Sequence, residues 1–178
     1  MKVTRLLSTI LGAGALMLAA SGSMLAQPGI MAPSSQLGFG ITVDNSTGAG
    51  ASIQYAFSPS VQIGAEVALG ISSSDAQSLT SFVVGPYVRW ILEGKVNPLI
   101  QVGLRSFSTT IKNKTLPGEP EATSDGQQVY AGFGLIWYHN RNLGVYVMAE
   151  VLKLDFDPSV TSFGTLNGRV GMEIFMDP

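Results

Sequence analysis

From Gln36 to the C terminus, apolar side chains recur at every second position. That period of two commits the chain to strands, because successive residues of a strand point to opposite faces. The runs last about ten residues and close on clusters of Gly, Pro, Asn, Asp or Ser, the residues that end strands and turn chains. Eight segments meet both criteria: 36–43, 49–57, 61–72, 81–92, 96–110, 127–138, 143–155 and 163–176. Nowhere does a helical stripe last beyond a turn or two. The connections Ser58-Pro59-Ser60, Glu93-Gly94-Lys95 and His139-Asn140-Arg141-Asn142 are tight, whereas 73–80, 111–126 and 156–162 are longer. Short turns therefore fall on one rim and long loops on the other.

Charges respect the alternation. In the third segment Val61, Ile63, Ala65, Val67, Leu69 and Ile71 share one face, and Glu66 lies on the other. Arg89 opposes Phe82, Val84, Pro86, Val88 and Trp90, and Arg105 opposes Val96, Pro98, Ile100, Val102 and Leu104. Glu150 opposes Leu143, Val145, Val147 and Val151; Arg169 and Glu173 oppose Val170, Met172, Ile174 and Met176. Lys153 and Asp155 fall on apolar parity, where a place at the rim would let them reach water.

Which face is inside is decided by composition. Only 12% of the chain is charged, against 46% hydrophobic, with 21 glycines; a soluble sandwich or barrel would cover its polar face with Lys, Glu and Asp. Here that face is mostly Gly, Ala, Ser, Gln and Tyr, which suits a narrow lumen. Three acids, Glu66, Glu150 and Glu173, equal three arginines, Arg89, Arg105 and Arg169, so these six are expected to pair there, since buried charges persist only when paired. Apolar faces turned outward, an even strand number and alternating turn lengths make up the pattern of a transmembrane barrel, which leaves no unpaired edge in lipid. Tyr55, Phe57, Trp90, Trp137, Tyr138 and Phe175 near the short turns, with Phe39, Phe82, Phe107, Phe156 and Phe163 near the long loops, fit two interfacial girdles. Pro86 removes a ladder donor in mid-strand, and a bulge is expected there.

Before the strands, Lys2 and Arg5 precede the apolar run Leu6 to Ala20, and small residues follow as far as Ala26. This is the layout of a secretory signal peptide, too short in its apolar run for a secure membrane anchor. The expected organisation is a signal peptide at 1–26, a linker at 27–35 and a barrel at 36–178.

The signal peptide, eight strands, turns such as Phe57-Ser58-Pro59-Ser60-Val61 and the last strand together resemble the small outer-membrane barrels of the OmpA/OmpX type. The last strand is also similar to that family's assembly signal through Arg169, Gly171, Ile174 and Met176, although this chain continues past Phe175 to Asp177 and Pro178. The resemblance implies an all-β, eight-stranded antiparallel up-and-down transmembrane barrel. It also implies the outer membrane of a Gram-negative-type bacterium after Sec-dependent export, outer-membrane lipids and the barrel assembly machinery as partners, and a monomer.

Several functions are disfavoured outright. Without cysteine there is no disulfide, thiol nucleophile or Cys-based zinc site, and a single histidine excludes most His-based metal sites. No cofactor or metal is expected, and a net charge of −2 offers no footprint for nucleic acid. Barrels of this size that modify lipid A need a histidine at the outer rim, but His139 lies in a short turn, away from Ser108, Asp155 and Ser159. The sequence therefore points to a non-catalytic barrel with a structural, envelope-stabilising or surface-interaction role. A narrow or gated pore is the first alternative; a lipid-modifying enzyme and a soluble lipocalin-like binder come after it. Any extracellular partner, of unknown identity, should meet the polar segment 111–126 through Lys112, Lys114, Glu119, Glu121 and Asp125.

Overall fold

The computed structural model describes residues 30, 32–45, 48–94, 96–114, 121–156 and 167–176. The expected signal peptide lies outside them, as do Glu119, Ser159 and Phe163. Eight antiparallel strands form one closed barrel in chain order: β1 (Gln36–Asp44), β2 (Gly48–Ser58), β3 (Val61–Ser73), β4 (Gln77–Ile91), β5 (Asn97–Asn113), β6 (Ala122–Asn140), β7 (Leu143–Asp155) and β8 (Asn167–Phe175). The ring closes through β1 and β8, from Gly38↔Phe175 to Asp44↔Arg169.

Alternation places the apolar set outside, as the sequence demands. Ile41 and Phe133 are 59% and 58% exposed, whereas Gln101 and Glu173 are fully buried. Large apolar side chains on an ordinary soluble domain would be distributed the other way. The inner wall is filled by rings set against glycines on the neighbouring strand. Tyr87 lies opposite Gly64, Tyr130 opposite Gly103, Tyr138 opposite Gly144, Tyr146 opposite Gly171 and Phe175 opposite Gly38. A Cβ on Gly64 would lie 2.5 Å from Tyr87 Cζ, and one on Gly103 2.5 Å from Tyr130 Cε1, so the rings occupy the space that glycine leaves.

Four expectations change. Lys153 and Asp155 face inward, because the β6–β7 register shifts between Ala131 and Gly132 and leaves Val151 as an extra residue. A bulge resets the parity of the residues beyond it, so Leu152 and Leu154 take the outer face. Pro86 makes no bulge: the β3 ladder runs through Ala65↔Pro86 without a shift, while pairing to β5 lapses at Gly85 and Pro86 and resumes in the same register at Tyr87↔Gly103. Tyr138 and Phe175 belong to the interior, not to a girdle. Finally, the segment 73–80 and the described residues of 111–126 are largely strand. Only residues 74–76 separate β3 from β4, and the β5–β6 ladder continues to Ile111↔Ala122. Their polar composition resembles a loop, but Thr109, Thr110, Ile111 and Thr123 are β-branched, and a strand above the membrane has no need of an apolar outer face.

Candidate functional site

All six expected lumen charges lie on the inner wall and are buried, and they fall into two groups. Nearer the short-turn end, Arg89 Nη1 donates to Glu173 Oε2 at 2.5 Å. Glu173 also accepts from Gln54 Nε2 at 2.9 Å, Gln62 Nε2 at 3.3 Å and Tyr138 OH at 2.7 Å. Further up, Arg105 Nε donates to Glu66 Oε1 at 2.7 Å and its terminal nitrogens clamp both oxygens of Glu150. Arg169 reaches Glu66 Oε2 at 2.5 Å and Glu150 Oε1 at 3.0 Å. Bidentate arginine–carboxylate geometry both strengthens and orients such pairs.

Two further charges join the upper group. Asp44 Oδ2 lies 3.6 Å from Arg169 Nη2, and Lys153 Nζ lies 3.7 Å from Glu150 Oε2. Asp44 was legible as the next polar-parity position after Val43. Lys153 was not, because no local signal announces the bulge at Val151.

Neutral residues connect the groups. Arg89 Nε donates to Gln101 Oε1 at 3.0 Å, Gln101 Nε2 to Tyr130 OH at 2.7 Å, and Tyr130 OH to Glu66 Oε1 at 3.2 Å. The Arg105 guanidinium stacks 3.5 Å from the Tyr130 ring centroid and that of Arg89 4.4 Å from Tyr146, where cation–π attraction adds to the ion pairs. A polar chain thus runs along the interior from Glu173 to Arg169, and side chains fill its width, as eight strands require.

The residues expected to form an assembly signal divide between faces. Arg169 and Gly171 point inward, the first into the network and the second against Tyr146, while Ile174 and Met176 are exposed outside. Of the rim residues, Lys112 Nζ pairs with Glu121 Oε1 at 2.9 Å across the hairpin, and Lys114 Nζ ties it to Ser73 Oγ at 2.6 Å and Ser74 O at 3.1 Å. Asp125 instead borders an outer-wall recess of about 590 Å³ with Phe82, Val84, Ser106, Ser108 and Phe156.

The enzymatic alternative fares poorly on geometry. His139 is exposed at the short-turn end, its ring 5.6 Å from that of Trp137. Ser108 lines the outer recess, whereas Asp155 faces inward and accepts from Gln128 Nε2 at 2.5 Å. The barrel wall separates the two, and neither is within reach of an imidazole base.

No protein-family model matches this sequence, and no curated protein matches it closely enough to count as a relative. Solved structures do match by shape. The fold is that of the small eight-stranded outer-membrane barrels. The N-terminal β-barrel domain of Pseudomonas aeruginosa OprF superposes with a TM-score of 0.56 at 11% identity, covering 80% of this chain and 98% of that domain. Neisserial surface protein A (NspA) superposes with a TM-score of 0.52 at 9% identity, covering 78% and 94%. At such identities the likeness lies in strand number, order and closure, not in side chains.

Proposed function

We propose that this chain is a non-catalytic outer-membrane barrel with a structural, envelope-stabilising role, offering its long-loop rim for contact with an extracellular partner. One observation carries the reading: the wall is inside out, with apolar side chains exposed on its exterior and buried charged residues mutually paired within. Only an apolar solvent around the barrel makes that arrangement favourable. The shared fold with OprF and NspA supports the outer membrane of a Gram-negative-type bacterium as its location; the signal-peptide pattern of residues 1–26 is what supports Sec-dependent export. Outer-membrane lipids and the barrel assembly machinery would then be its partners, and it would act as a monomer. Cell fractionation combined with gel migration before and after boiling tests this. The protein should sediment with outer membranes and shift on heating; recovery in the soluble fraction without a shift would refute it.

The polar chain from Glu173 to Arg169 favours one second reading, a narrow gated pore. Planar-bilayer recording distinguishes the two, since a closed structural barrel gives no steady conductance.

A further inference from the structure

Below the Arg89–Glu173 pair the inner wall becomes mainly apolar, with Asn97 buried among its apolar residues. Ala56, Ile91, Leu99, Ile136 and Phe175 are all essentially inaccessible and pack into one apolar cluster at the short-turn end. Ala32 completes that cluster at 3% exposure, with Ile30 packed beside it. Neither residue comes from a strand: both precede β1, in the stretch expected to be a linker. The segment is tied at both ends. Asn97, on β5, donates from Nδ2 to Ile30 O at 2.9 Å and accepts from Gly94 N at 3.1 Å. Ser35 N donates to Ala56 O at 2.6 Å, and Ser35 has φ of 59°, a left-handed conformation that serine adopts only when its surroundings hold it there. That turn leads the chain from the mouth into the start of β1.

The geometry points to an N-terminal strap, carried by Ile30 and residues 32–35, that closes the short-turn mouth as an apolar seal in series with the charge network. A tight apolar constriction excludes water and hydrated ions irrespective of nearby charges. Rearranging the salt bridges alone therefore leaves the barrel shut. The inference rests on the membrane-barrel reading but not on either choice between structural protein and pore.

The chain contains no cysteine, so single replacements report cleanly. Ala32→Cys probes the seal and Ser34→Cys, at an exposed position of the same segment, is the control. Both are purified from membranes in detergent and treated with a membrane-impermeant maleimide. Reaction at position 32 requires local opening, so it should be at least about tenfold slower than at position 34, and adding Asn97→Ala should remove most of that difference. In planar bilayers, Arg169→Gln with the strap intact should stay closed, and combining it with the double variant Ala32→Asp with Asn97→Ala should open a conductance. Equal labelling at positions 32 and 34 would overturn the strap. So would a conductance opened by Arg169→Gln while position 32 remains protected. Heat-dependent gel migration of each preparation reports separately on the barrel, so loss of the fold is not mistaken for loss of the seal. Should the double variant Ala32→Asp with Asn97→Ala fail to fold, the labelling ratio in the otherwise unaltered chain still decides.

Discussion

Arg89 and Arg105 are both buried arginines bound to glutamates, yet their removal should not cost the same. Arg89 is the cation that contacts Glu173; that carboxylate's other donors, Gln54, Gln62 and Tyr138, are neutral. Breaking a buried pair by deleting one member costs about 3–5 kcal/mol. The three retained hydrogen bonds, each contributing about 0.5–1.5 kcal/mol net, hold Arg89→Met toward the lower end of that range. Arg105→Met leaves a different situation. Arg169 still lies 2.5 Å from Glu66 and 3.0 Å from Glu150, and Lys153 lies 3.7 Å from Glu150, so neither carboxylate is stranded. Its cost should be about 1–2 kcal/mol, mostly lost hydrogen bonds and the stacking on Tyr130. Arg89→Met combined with Glu173→Met removes both charges together and should be less costly than Arg89→Met alone. The measurement is equilibrium urea unfolding in lipid vesicles, followed by the fluorescence of Trp90 and Trp137 and by gel migration. Equal costs for the two arginine variants, or additive losses in the Arg89/Glu173 cycle, would refute the distinction between an isolated pair and a shared network.

Other substitutions test the walls. Val67→Arg or Val147→Arg on the outer face should cost about 2–4 kcal/mol in the same titration, because the guanidinium must enter hydrocarbon. Gly103→Val should cost about 1–3 kcal/mol or more, since Tyr130 is held by Arg105, Gln101 and Glu66 and cannot swing clear, while Gly168→Ala, whose Cβ meets nothing within 4 Å, should stay within about 0.5 kcal/mol. Gln101→Leu should uncouple the two charge groups, so that a cycle between Arg89 and Arg105 variants loses any interaction energy measured in the parent chain. Replacing residues 115–120 by a Gly-Ser linker should leave vesicle refolding unchanged, because loop-closure entropy varies slowly with length, and should lower any binding of partners by intact cells.

Much of this protein was decided by the sequence alone. Side chains alternate strictly along a strand, so the polar parity of Glu66, Arg89, Arg105, Glu150, Arg169 and Glu173 placed them on one wall before any contact was known. Sparse charge and abundant glycine then made that wall the inner one. Partner choice lay beyond it: parity says which face a residue takes, not its height, and height depends on the stagger between strands. Hence Arg89 meets Glu173, 84 positions away in the chain, and Gln101 relays between the groups. The role of individual glycines was equally hidden, since each is required by a ring on the neighbouring strand. Lys153 shows how local reading can fail, because one extra residue at Val151 inverts the parity of every later residue in β7. Ala32 marks the same limit from the other side. Nothing in its neighbourhood along the chain indicates burial; only closure of the barrel creates the apolar floor against which it packs.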